Sequence, residues 1–203
     1  MTSSKAIKHE ALPDPFSDEY SRTVFGFWVY LLTDFMMFAT IFAAYAVLRN
    51  NTFGGPGPKE LFDLPMMLNH TWILLLATYF VSLGGASAHR NNKKATITYF
   101  VLTFILGFAF IWLQGCDMAR LVAQGATWKS NGFLSSYFTL VGTFDVHVLI
   151  GLLWTIVLIL PVMKRGLDSV SVRRLTCLRM FWQFLNIIWI FIFSIVYLLG
   201  VAL

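Results

Sequence analysis

The chain has 203 residues, 58% hydrophobic and 12% charged, with 15 Lys and Arg against 10 Asp and Glu for a formal net charge of +5. A soluble domain carries about 25% charged residues, so this composition excludes an ordinary water-soluble enzyme, and five long apolar stretches leave no room for a soluble catalytic domain among these residues. The basic residues sit in short connections, where membrane topology and anionic headgroups account for them better than nucleic acid, so no nucleic-acid partner is expected.

Residues 1–23 are polar, mixed in charge and carry Pro13 and Pro15. They lack the short apolar core and small-residue site of a cleavable signal, and read as a flexible cytoplasmic tail, with the first apolar stretch acting as an uncleaved insertion signal. Residues 24–203 read as a five-span helical bundle, with spans at about 24–48, 66–88, 96–117, 137–163 and 180–203. Roughly 20 apolar residues cross a ~30 Å hydrocarbon core, and each stretch reaches that length. Between the first two spans, residues 53–60 (FGGPGPKE) form a turn-rich connection, since Gly and Pro break helices. Pro161 falls near the end of the fourth span and is expected to end that helix.

Lys and Arg alternate across the connections. The N-terminal segment holds Lys5, Lys8 and Arg22, the second connection Arg90, Lys93 and Lys94, and the fourth Lys164, Arg165, Arg173, Arg174 and Arg179. The other side holds Arg49, Lys59, Arg120 and Lys129 only. The positive-inside rule then puts the N-terminus in the cytoplasm and the C-terminus outside. The expected fold is therefore an all-α membrane protein with five transmembrane helices, its C-terminus periplasmic in a bacterial inner membrane. Cys116 and Cys177 fall on opposite sides and are not expected to pair.

Of the four histidines, His9 is in the tail, His70 and His89 lie at opposite ends of the second span, and His147 is deep in the fourth. No Cys-x-x-Cys, His-x-x-x-His or G-x-S-x-G pattern occurs, so the chain is expected to bind no haem, copper or zinc and to have no catalytic centre of its own.

Intramembrane acids carry the sharper signal. Asp34 and Asp145 both fall near mid-span. A charge there costs on the order of 3 kcal/mol on insertion scales, so such residues face the protein interior or a partner. One reading is a proton or lipid-headgroup site; the other is a hydrogen-bonded core carboxyl that locks two helices. Asp145 and His147 are about 200° apart on a helix and form no dyad, whereas Thr143 and His147 share a face. Polar and small residues form stripes: Gly26, Tyr30, Asp34 and Phe38 in the first span, Thr103, Gly107, Gln114 and Asp117 in the third, Gln183, Asn186, Ser194 and Tyr197 in the fifth. Gly84 and Ala88 form a small-xxx-small step. These stripes describe helix–helix packing around a weakly polar interior. The tryptophans, mostly toward span ends, suit the headgroup layer.

The stretches FGFWVYLLTDFMMFATIFAAYAVL from Phe25, GGPGPKELFDLP from Gly54, NGFLSSYFTLVGTFDVHVLIGLLW from Asn131 and FWQFLNIIWIFIFSIVYLLG from Phe181 resemble subunit III of the cytochrome o-type ubiquinol oxidases, in the haem–copper oxidase superfamily. The resemblance runs over nearly the whole chain after the tail, and the five-span layout matches the quinol-oxidase form, the cytochrome c oxidase form having seven. It implies a non-catalytic subunit of a complex that oxidises ubiquinol, reduces oxygen to water and moves protons out of the cytoplasm. It implies subunit I as main partner, holding the haems and copper, with subunits II and IV beside it. It also implies stabilisation of subunit I and phospholipid bound in an interhelical cleft, expected between the first, second and fourth spans, with Asp34 in the cleft-forming helix. Candidate cleft or buried polar residues are Asp34, Tyr30, His147, Asp145, Asp117, Gln183 and Asn186.

The sequence departs from the family pattern. Phe144-Asp145-Val146-His147 stands for His-Gly-Leu-His, Gln114 and Asp117 stand for two acids, and Trp182-Gln183-Phe184-Leu185-Asn186 stands for Trp-His-Phe-x-Asp. Titratable groups are lost while hydrogen-bonding capacity is kept, which suits a structural network; proton relay needs groups that change charge. Two other readings stay open: a carrier or channel using Asp34, Asp145 and His147, and a structural subunit of a different respiratory complex.

Overall fold

Hydropathy this high over stretches of about 20 residues leaves the backbone one open-chain way to satisfy its amides in lipid, the helix. The computed structural model of the chain describes residues 18–55 and 57–202 and is helical along every long element, with no strand among the described residues. The expected tail lies outside the described residues up to position 17. Helix α1 spans Asp18–Leu48, the short α2 Pro58–Leu61, α3 Leu64–His89, α4 Lys93–Ala123, α5 Gly132–Arg165 and α6 Ser169–Ile192; a π turn over Phe193–Leu198 then leads into α7, Leu199–Ala202. Helices α1, α3, α4, α5 and the α6–α7 run are the five long and apolar enough to cross a membrane.

Local sequence sets the boundaries. Asn92 caps α4, its side-chain oxygen accepting from the Ala95 amide at 3.3 Å, and Asn131 caps α5 by accepting from the Leu134 amide at 2.7 Å. Asn131 also donates to the Thr52 carbonyl at 3.3 Å, tying the start of α5 to the loop after α1. Gly166, with φ at +92°, stops α5 in a backbone region that side chains rarely adopt. Pro161 does not end α5, contrary to the sequence reading: the helix runs through it to Arg165. So close to the terminus a proline forfeits one intrahelical bond, which a membrane-spanning helix tolerates.

Helix α6 is the hub. It packs against α1, α3 and α5, while α3 and α4 pair as a hairpin, α4 leans on α5, and α1 lies on α5 and α6. Trp182 and Trp189, two turns apart, are both fully buried. Their indole nitrogens donate to hydroxyls on neighbouring helices, Trp182 to Thr155 on α5 at 3.3 Å and Trp189 to Thr71 on α3 at 3.0 Å. These two correct the expectation of a headgroup-layer position, because an indole with a hydroxyl in reach is satisfied inside the bundle. Trp28, Trp72, Trp112 and Trp128 are more than half exposed.

Small residues make room for the aromatic hub. A methyl group at Gly107 would sit 2.6 Å from the Trp182 ring, and one at Gly84 would meet Phe100 at 3.0 Å. Lipid and core are equally apolar, so the helices are held by close packing and interhelical hydrogen bonds, with no hydrophobic gain from association.

Candidate functional site

Helix α3 turns His70 fully inward in its second turn. Its Nδ1 donates to the Met66 carbonyl at 2.8 Å, and its Nε2 lies 3.2 Å from Oδ2 of Asp117 on α4. A carbonyl only accepts, so Nδ1 carries a hydrogen. The Nε2–Oδ2 approach is a close contact between two buried polar side chains, and neither atom has a hydrogen-bond partner among the described residues. One turn away, the Gln114 side chain lies beside the Tyr197 hydroxyl, which shares a 3.1 Å hydrogen bond with the Tyr137 hydroxyl. Phe110 stands edge-on to both His70 and Trp189, with ring centres 5.9 and 4.8 Å apart. A polar chain thus crosses the bundle from α3 through α4 to α5 and the π turn. Sequence reasoning singled out Gln114 and Asp117 but left His70 as a span-end residue. Only the α3–α4 hairpin shows that His70 meets Asp117.

The mid-span group is partly exposed. Tyr30 is exposed, with its phenol against the Asp34 carboxyl. Asp34 and Asp145 are half-buried, and each keeps one buried carboxyl oxygen without a hydrogen-bond partner among the described residues. His147 donates from Nδ1 to the Thr143 carbonyl at 2.8 Å, and its ring meets Phe38 of α1 at 5.1 Å between centres. Helix α1 therefore offers His147 an aromatic face. Gln183 is exposed and donates to Ser82 at 3.3 Å. Asn186 is half-buried, with its side-chain oxygen unpartnered among the described residues.

Two apolar grooves flank α1. One, of about 230 Å³, runs between α1 and α6 and is lined by Phe35, Phe38, Ala39, Phe42, Ile188 and Phe191, among others. The other, of about 240 Å³, lies between α1 and α5 beside Ile41, Ala44, Ser135 and Thr139. The grooves beside α1 are thus bounded by the fifth and fourth spans. Helix α6 packs against both α1 and α3.

Among the described residues, no group of three or more His, Cys, Asp or Glu side chains is placed to hold a metal ion. What the bundle offers is a buried row of polar side chains, with His70 Nε2, both polar atoms of Gln114 and Asp117 Oδ2 left without a hydrogen-bond partner among the described residues, two apolar grooves and a first helix mostly uncovered by its own fold.

Comparison with known proteins gives this architecture a family. The family model described as cytochrome c oxidase subunit III matches residues 20–201. The cytochrome bo(3) ubiquinol oxidase subunit 3 of Pseudomonas aeruginosa is 45% identical over 187 residues, 92% of this chain and 90% of that one. The protein of the same name from Pseudomonas putida is 37% identical over 184 residues, 91% and 89% of the two chains. Quinol oxidase subunit 3 of Bacillus subtilis is 32% identical over 191 residues, 94% of each.

Proposed function

The chain belongs to the cytochrome c oxidase subunit III family, and from that premise we propose that it is the non-catalytic subunit III of a proton-pumping ubiquinol oxidase in a bacterial inner membrane. In this reading subunit I is the main partner and carries the haems and copper, with subunits II and IV completing the complex. The chain stabilises subunit I and holds phospholipid in the grooves beside α1. The Lys and Arg clustered where α3 meets α4 and where α5 meets α6 support a cytoplasmic N-terminus and a periplasmic C-terminus.

The observation that carries the reading is the state of α1. Its outer face exposes Phe25, Trp28, Leu32, Met36 and Val47, while its inner face packs on α5 and α6. An outer face of that kind suits lipid and a partner subunit. Asp34, half-buried on the same helix, keeps one buried carboxyl oxygen without a hydrogen-bond partner among the described residues, a polar group of the kind that faces a protein interior or a partner in a membrane.

The test is Asp34→Asn in the intact oxidase. The complex is expected to assemble with normal haem content, but to inactivate several-fold faster during turnover with quinol. Unchanged lipid content and an unchanged inactivation rate would leave Asp34 a packing residue only.

A further inference from the structure

Where α3 meets α4, Oδ2 of Asp117 and both polar atoms of Gln114 are buried without a hydrogen-bond partner among the described residues. We infer that Asp117 and Gln114 form a binding site for one structural water molecule, which bridges the two side chains and enters from the α2 end of the bundle between Asp63 and Arg120. The site lies inside the chain's own fold and does not depend on which partners surround it.

Both side chains are more than nine-tenths buried, with Gln114 at 0% exposure and Asp117 at 6%. They stand three residues apart on α4 and so share its inward face. Polar atoms this deep carry a desolvation penalty that only a hydrogen bond offsets. Water both donates and accepts, so one molecule suits a carboxylate that accepts beside an amide that does both. It gives one hydrogen to Oδ2 of Asp117. It makes its second bond to Gln114, accepting from Nε2 or donating to Oε1. The Gln114 side chain also lies beside the Tyr197 hydroxyl, which is hydrogen-bonded to that of Tyr137.

Room and a route are both present. A cavity of about 20 Å³ is lined by Asp117 and Tyr137, and one water needs about 10–15 Å³. Its rim carries Asp63, just before α3, and Arg120, in the last turn of α4, both exposed. Phe62, Met67 and Leu121, all buried, line it between the rim and the polar pair. Asp117 is six residues from the end of α4, about 9 Å at 1.5 Å per residue, so the path is short. The charged rim favours entry of water, the apolar walls slow its exchange, and the polar pair holds it. Among the described residues no three His, Cys, Asp or Glu side chains converge to hold a metal ion, so a neutral occupant fits this seat.

The test is synchrotron radiolytic footprinting of the purified complex. Hydroxyl radicals made from a bound water oxidise the side chains around it, and mass spectrometry reads the oxidation at Tyr137 and Trp182. Both are fully buried, but only Tyr137 lines the cavity. Wild-type complex is expected to be oxidised at Tyr137 and spared at Trp182. Gln114→Leu, which keeps the side chain's bulk and removes its polar end, is expected to lower Tyr137 to the level of Trp182 at unchanged haem content. Met67→Phe, which fills the cavity and leaves Asp117 and Gln114 in place, is expected to do the same. Equal oxidation of Tyr137 and Trp182 in the wild type overturns the site, as does Tyr137 oxidation that survives either variant. A density map of the wild-type complex gives a reading that needs no variant. One peak about 2.6–3.2 Å from both Oδ2 of Asp117 and the Gln114 amide is expected. The lack of any peak there overturns the site, as does a peak ringed by oxygens at about 2.3–2.6 Å, which is a metal ion.

Discussion

Replacing Trp182 by alanine is expected to be among the most destabilising single changes in this chain, at about 3 kcal/mol. The ring is fully buried at the hub of the bundle. Its loss empties the space between α4, α5 and α6 and removes the bond to Thr155. Truncating a buried Trp in a water-soluble core costs about 3–5 kcal/mol. The lower end applies here, because an unpacked Trp in lipid still has apolar surroundings and only packing and the hydrogen bond are lost. The change reads as a fall in melting temperature of the purified complex of about 2–4 °C per kcal/mol for a chain of this size. Gly107 supplies the complementary arm. A methyl group there meets the Trp182 ring at 2.6 Å, so Gly107→Ala is expected to cost about 1–3 kcal/mol by overpacking. In a Trp182→Phe background the same alanine fills freed space, and the two effects are expected to fall short of additivity by about 1 kcal/mol. Strict additivity, or a harmless Trp182→Ala, would mean that α6 does not organise the bundle.

Asp117→Ala is expected to cost about 2–4 kcal/mol, because it leaves His70 buried with Nε2 facing nothing that donates. Asp117→Asn is expected to cost under about 1 kcal/mol. Its amide can donate to Nε2. The His70→Ala/Asp117→Ala double variant is expected to be no worse than the worse single one, since removing both partners removes the orphaned group. Thermal unfolding of these variants beside the wild type in the same detergent measures this. If Asp117→Asn proved as damaging as Asp117→Ala, the pair would have to be an imidazolium and a carboxylate, whose mutual charge no amide replaces.

These two sites also mark where the sequence stopped being readable. The number and kind of elements were legible, because a span is a local property of about 20 consecutive residues. The third-span stripe was legible as well: Thr103, Gly107, Gln114 and Asp117 are all buried. Gly84 and Ala88 likewise face inward. The hub was not. In water, apolar periodicity points to the core, but a helix lying in lipid is apolar all round, so α6 looks like its neighbours. Trp182 and Trp189 were misread for that reason. Their tryptophan identity suits both a headgroup layer and an interior, and only the hydroxyls of Thr155 and Thr71 on other helices decide between them. His70 was missed because its partner arrives through the hairpin. Tyr30 and Gln183, singled out as polar candidates, are exposed on the bundle. The family resemblance was legible in four stretches of sequence because they hold the packed faces of α1, α5 and α6 together with the loop that carries α2.

The central claim is that the chain is part of a quinol-oxidising terminal oxidase whose redox centres lie in other subunits. The most direct measurement is to purify it from native membranes through a C-terminal tag and record the optical spectrum of what accompanies it. Haem bands on reduction with dithionite, together with quinol-dependent oxygen uptake by the same preparation, are the predicted result. A lone, colourless protein would contradict the account and turn attention to proton flux through Asp34 and Asp145.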